Sequence, residues 1–340
     1  MTITSHTKSF LVALVVLLAA LVAPTAASAK GGSGQGVQTE LDGGTLHVDG
    51  GDRPNSVALR LKAGDQTRLQ VDAGDNGSAD FSFARGDVDA ISIRMGNGRD
   101  SVRIDDANGS FTDSIPTSIA GGNGDDTLNG GAGVETFSGG NGDDFVDGGR
   151  GNDRADLGRG DDTFQWDPGE GSDSIEGENG NDRMLFNGAQ GPGAETVTMT
   201  ANGGRLIFFR QPGNVTMSTD DVEIVDFNAL GGPDSITVND LSGTDVTQTN
   251  LDLAGALGGN APDGALDSVV VNGTDGVDNI NVAGNGSGVD VTGLATAVSI
   301  KHADPSDADP SDSLTVDTRA GADNVNLAGV AGALDVLVKD

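Results

Sequence analysis

The sequence predicts an all-β chain wound as a parallel coil, and three observations predict it. Between Gly121 and Gln165 the chain divides into five consecutive nonapeptides of one pattern, Gly-Gly-x-Gly-x-Asp-x-apolar-x. On both sides of them, short segments of alternating apolar and polar residues are punctuated by Gly, Asp and Asn. Past the N-terminal leader no long stretch keeps a 3.6-residue period, so helix should be scarce.

Composition narrows the function classes. The 340 residues carry 52 acidic against 19 basic side chains, a net charge of -33, which repels nucleic acid and anionic lipid surfaces. With no Cys there is no disulfide framework, thiolate nucleophile or Cys-ligated metal. Eleven Phe, one Trp and no Tyr among 35% hydrophobic residues suit a thin, repetitive core better than a large aromatic one.

Taken in order, residues 1–29 read as a signal peptide. Lys8 precedes an apolar run from Phe10 to Ala23, followed by Pro24 and the small-residue end Ala27-Ser28-Ala29, so cleavage is expected after Ala29. The run is too short to span a bilayer, which needs roughly 20 residues. A secreted, extracellular protein exported through its N-terminal signal is expected, with no membrane insertion. Residues 30–36 read as a Gly-rich linker and 37–120 as a β-strand-rich solenoid segment. Its strands are sought at Thr45–Val48, Val57–Leu61, Ala90–Ile93 and Val102–Ile104, and Met95 to Val102 forms a degenerate nonapeptide.

Residues 121–186 carry the informative spacing. Fourth positions of the five units are Gly124, Gly133, Gly142, Gly151 and Gly160; sixth positions are Asp126, Glu135, Asp144, Asp153 and Asp162. Eighth positions are Leu128, Phe137, Val146, Ala155 and Phe164. After a two-residue slip at Trp166-Asp167, units from Pro168 and Gly177 add Asp173 and Asp182, with Ile175 and Met184. Glycines such as Gly122, Gly124, Gly140, Gly142, Gly149 and Gly151 permit tight turns whose carbonyls converge without Cβ clashes. The three residues closing each unit persist only as one rung of a parallel stack, with the apolar residue inward. Two units make one coil, so Asp126, Asp144 and Asp162 fall in one column at rungs about 4.8 Å apart. Carboxylates at that spacing repel by roughly 1 to 3 kcal/mol. Such a column needs a cation. Carbonyls plus carboxylates form a flexible cage of hard oxygens that suits Ca²⁺ better than Mg²⁺, and no nitrogen or sulfur ligand favours zinc or copper.

These units resemble the RTX nonapeptides of the haemolysin-type calcium-binding family. The resemblance implies a parallel β-roll with several Ca²⁺ ions held between same-side turns, in the manner of secreted bacterial members without a separate catalytic domain. The chain departs from the pattern in places. Glu135 is one methylene longer than Asp, Leu157 and Pro168 replace a first-position Gly, and Glu178 replaces a second-position Gly. Without calcium the stretch has the composition of a disordered acidic linker, so an ion-triggered ordering is expected.

Residues 187–340 read as a β-rich segment of degenerate repeats. Strands are expected at Glu195–Thr200, Arg205–Phe209, Val222–Phe227, Ser235–Val238, Ser268–Val271, Asn279–Val282, Val289–Val291, Val298–Ile300, Leu314–Val316 and Asn324–Leu327. Several follow a Gly-x-Asp step whose metal geometry is expected to be largely lost. Alternation continues to Asp340, which suggests end-to-end association through the last rung.

Catalysis finds little support in the residues. The histidines are His6, His47 and His302, with no H-E-x-x-H. The lipase elbow fails where Asn285 stands for its first Gly, and there is no P-loop. A secreted carbohydrate-active enzyme working through paired carboxylates is the catalytic alternative. Trp166 is read as covering the slip, and His47 as a solvated outward residue. A structural or interaction role is expected, with an adhesin or cell-envelope matrix component as its alternative form, whose partner would be a cell envelope, a matrix or a second copy.

Overall fold

A nonapeptide with one inward apolar side chain finds its pairing partner one coil away. The computed structural model describes residues 36–284, 286, 288–308 and 311–340, so the leader and nearly all of the expected linker lie outside the described residues. Two sheets of fourteen strands each enclose one continuous core. Among the described residues, helix is confined to two three-residue 3₁₀ turns, Arg85–Asp87 and Asp106–Asn108, and none is long and apolar enough to cross a membrane.

Through the repeats each coil places one strand in each sheet. Thr117–Asn123, Glu135–Asn141, Arg154–Arg159 and Ser174–Asn179 neighbour one another in the first sheet. Thr127–Asn129, Phe145–Asp147, Thr163–Trp166 and Arg183–Asn187 do so in the second. All are parallel. Thr136 faces Arg154 and Phe145 faces Thr163, a step of two nonapeptides. The inward stacks run Ile119, Phe137, Ala155, Ile175 and Leu128, Val146, Phe164, Met184, every member buried. Ala155 fills little space in its rung. Leu157, the residue that breaks the first-position glycine rule, is fully buried two residues further along the same strand face and adds the missing aliphatic volume.

The slip lengthens one coil without breaking register, since Arg154 faces Ser174 and Thr163 faces Arg183. Trp166 covers it from inside, fully buried and stacked on Phe186 with ring centroids 4.0 Å apart. Its indole Nε1 donates to the Gly171 carbonyl at 2.9 Å, satisfying the polar edge that burial would otherwise orphan.

The flanks continue both sheets, with antiparallel pieces inserted among the parallel rungs. Ser56–Lys62, Asp65–Ala73 and Phe81–Ala84 form a meander in the second sheet. Thr196–Asn202, Arg205–Gln211 and Val215–Asp220 form one in the first, and Asn279–Gly284, Gly288–Thr292 and Ala297–Lys301 another in the second. The middle meander supplies its own cation. Arg210 Nε donates to Glu195 Oε1 at 2.7 Å, a second guanidinium nitrogen binds the same oxygen, and the group lies 5.5 Å over the Trp166 ring. Both partners are buried. Arg210→Met is therefore expected to destabilise the fold by about 3–5 kcal/mol, because it strands the Glu195 charge. Urea unfolding of the variant beside Arg210→Met/Glu195→Gln checks this, and no recovery in the double variant would count against it.

Candidate metal centre

The glycine pairs set how closely the turns stack. Gly122 and Gly124 lie at φ +117° and +118°, where an L side chain is strained. A Cβ on either would also fall inside the van der Waals envelope of the Gly96 or Gly98 carbonyl oxygen in the coil above. One coil on, Gly140 and Gly142 meet the carbonyls of Gly122 and Gly124 in the same way. Each turn thus presents two carbonyl oxygens to the next. Gly124→Ala is expected to lose about 1–3 kcal/mol from backbone strain before any overlap is relieved. Gly86→Ala, at a site with open space, is the control in the same denaturation series, and equal effects would refute the stacking account.

Each sixth-position Asp uses one oxygen to tie two coils together. Along the first edge, backbone N–H groups of Asp126, Asp144 and Asp162 donate to the Oδ1 atoms of Asp144, Asp162 and Asp182, at 2.7, 2.6 and 2.9 Å. On the second edge the Glu135 and Asp153 N–H groups donate to Asp153 and Asp173 at 2.7 and 2.8 Å. Asp173 and Asp182, beyond the slip, thus stand in the same columns as the rest. The other oxygen has no partner: Oδ2 of Asp126, Asp144, Asp153, Asp162 and Asp182 and Oε1 of Glu135 are buried without a hydrogen bond.

Burial, opposed by the ladder N–H, raises these groups' pKa values. Asp126 and Asp162 rise to about 6, Asp144, Asp173 and Asp182 to about 7 and Asp153 to about 8. Glu135 rises for the same reason. Neighbouring carboxylates add to the shift, as Asp162 and Asp126 do for Asp144. Stacked carbonyls and orphaned carboxylate oxygens make a donor set of hard oxygens only. It fits Ca²⁺.

The second edge is built differently at its start. The extra methylene of Glu135 lets Oε2 reach back to the Gly131 N–H at 3.0 Å, while the Gly133 N–H donates to Thr112 Oγ1. Gly149 and Gly151 below them regain positive φ, +73° and +139°. Glu178, in a glycine position, is held at φ +69°.

Several carboxylates escaped the sequence reading. The first column runs up to Asp100, whose N–H donates to Asp126 Oδ1 at 2.7 Å, and down to Glu223, which accepts from the Asp182 N–H at 2.6 Å. A further ladder links Glu195, Asp234, Asp267 and Asp312 by the same bond. The slip also brings Asp147, Asp167 and Glu170 together, with oxygens within 4.8 Å of one another. Asp100, Glu223, Glu195, Asp234, Asp267 and Asp312 carried one sequence signal, an acidic residue immediately before a strand, whereas Asp147 ends a strand and Asp167 and Glu170 lie at and just after the two-residue insertion.

The fold and its acid-lined turns define a parallel β-roll with stacked oxygen sites. The RTX calcium-binding nonapeptide repeat, of the HemolysinCabind family, matches residues 118–146, 130–164 and 169–188, in four copies. That stretch of the chain carries RTX-type calcium-binding repeats. No curated protein matches the chain.

Proposed function

We propose that this chain is an exported, non-catalytic structural module that calcium converts into a rigid acidic rod. On the first edge Asp126, Asp144, Asp162 and Asp182 would hold ions together with the carbonyls of Gly122, Gly124, Gly140 and Gly142. On the second edge Glu135, Asp153 and Asp173 would do so with Gly149 and Gly151. The observation that carries the reading is the row of buried carboxylate oxygens without a hydrogen-bond partner, at Asp126, Glu135, Asp144, Asp153, Asp162 and Asp182. An unneutralised row of that kind opposes folding, and ligation would turn the opposition into a dependence on the ion.

A non-catalytic role agrees with how the polar groups are used. The buried carboxylates hold backbone N–H groups, and His302 is engaged through Nδ1 by Asp252 at 2.7 Å. As a spacer or matrix component the rod would act through its length and charge, serving a cell envelope, a matrix or another copy. Export rests on the leader of residues 1–29.

Calcium titration of the chain from Lys30, followed by far-ultraviolet circular dichroism and calorimetry, tests the reading. A cooperative gain of β signal with a Kd of about 0.1–1 mM is expected for an extracellular site. A spectrum already complete in metal-free buffer and unchanged by calcium would overturn it.

A further inference from the structure

We infer that the cation column begins one coil ahead of the matched repeats, with a divalent-cation site between the turns 96–100 and 122–126. The inference rests on the calcium reading above and extends it to Gly96, Gly98 and Asp100, which the family match beginning at residue 118 leaves out.

The backbone of this turn has the form of those below it. Strand Ala90–Asn97 pairs in parallel with Thr117–Asn123, placing Gly96 beside Gly122 and Asn97 beside Asn123. Gly96 and Gly98 lie at φ +97° and +133°, and their carbonyl oxygens occupy the space a Cβ on Gly122 or Gly124 would need. The outer face keeps the same register, since Asn141 Nδ2 donates to Asn123 Oδ1 and Asn123 Nδ2 to Asn97 Oδ1, each at 2.7 Å.

The carboxylates agree with the backbone. Asp100 is 1 % exposed, and its Oδ1 accepts the Asn55 N–H at 2.6 Å. Its Oδ2 is buried without a partner, as is Oδ2 of Asp126. Two orphaned oxygens and stacked glycine carbonyls therefore meet at this turn as they do between Asp126 and Asp144. Arg99 leaves the inner oxygens free, because its guanidinium is bound outward by Asp125 at 2.6 Å. The turn escapes the nonapeptide pattern for two reasons. Met95 stands where the first Gly belongs and is buried in the core. The following coil is also lengthened by the 3₁₀ turn Asp106–Asn108 and the buried Phe111, so the spacing to the next unit is broken.

The column ends above this point. Asn55 holds the place of the next acid with a neutral carboxamide, and above Gly98 lie the Arg53–Pro54 backbone atoms in place of a glycine carbonyl.

The test is the number of calcium ions bound per full-length chain, by equilibrium dialysis and calorimetry, for the parent and for Asp100→Asn. Asn keeps an oxygen for the Asn55 N–H and removes the charge. The variant is expected to bind one ion fewer with an unchanged β spectrum. Equal numbers in the two proteins would overturn the inference, whereas a parent that binds no calcium would overturn the calcium reading itself. A second measurement needs no variant. Mn²⁺ added to the parent as a paramagnetic stand-in should broaden the amide signals of residues 96–100 together with those of 122–126, and sharp signals at 96–100 would overturn the site.

Discussion

Asp144→Asn is expected to abolish calcium binding at two neighbouring turns while leaving the metal-free chain at least as stable as the parent. Asp144 stands mid-column, accepting the Asp126 N–H through Oδ1 while its own N–H goes to Asp162. Its Oδ2 is buried and unpartnered. Burial, then the charges of Asp162 and Asp126, hold its pKa up at about 7, so near neutral pH the ionised group opposes the metal-free fold. A carboxamide keeps the acceptor that Asp126 needs and removes that charge. With calcium the order reverses. At an ion concentration a hundredfold above Kd each site contributes about 2.7 kcal/mol, so losing two removes about 5 kcal/mol. Chemical denaturation of both proteins, with and without calcium, measures the crossing. Asp144→Ala separates the two roles, because it also orphans the Asp126 N–H and so lowers stability by about 1–3 kcal/mol in either buffer. A variant that kept the parent's calcium stabilisation would sink the assignment of Asp144 as a shared ligand.

What made this site legible was period, and what hid the rest was geometry that period does not encode. A nine-residue repeat with one apolar position determines which residues point inward and which acids share a column, so Phe137 over Ala155 and Asp126 over Asp144 follow from counting. Counting says nothing of which carboxylate oxygen is used. The N–H to Oδ1 ladder depends on the rise between coils, and it turns a column of metal ligands into a column of backbone clamps with one oxygen left over. Trp166 was readable as the cover of the slip because a lone indole beside a two-residue insertion has one apolar place to go. Leu157 was not, since its compensation of Ala155 needs the neighbouring strand. The antiparallel meanders were hidden for a different reason. Their strands alternate like the parallel ones, and only the tight turns between them, as at Gly203-Gly204, set the direction of pairing. Glu195 and Arg210 meet across that meander, so their pairing required the hairpin register first.

Calcium and protons are expected to stabilise the repeats in opposite pH ranges. Asp126, Asp144, Asp153, Asp162, Asp173 and Asp182 all rise from 3.8 to between about 6 and about 8, chiefly through burial. A folded chain that holds protons more tightly than the unfolded one loses stability as pH rises. The protonated columns therefore give their full stabilisation below about pH 4, and this is lost as pH climbs through 6 to 8. Exposed acids shifted the other way, such as Asp125 beside Arg99, act below 3.8 and do not enter this window. In metal-free buffer, lowering the pH from 8 to 5 should thus raise the unfolding midpoint. With calcium the same protons compete for the ligand oxygens, so the calcium-dependent increment should be largest near pH 8 and vanish towards pH 5. The two curves are expected to converge in acid, a pattern that a merely acid-labile protein would not produce. Unfolding midpoints at four pH values in dialysed and calcium-loaded protein decide it, and a metal-free midpoint that rose from pH 5 to 8 would show that the buried columns are not what limits the apo fold.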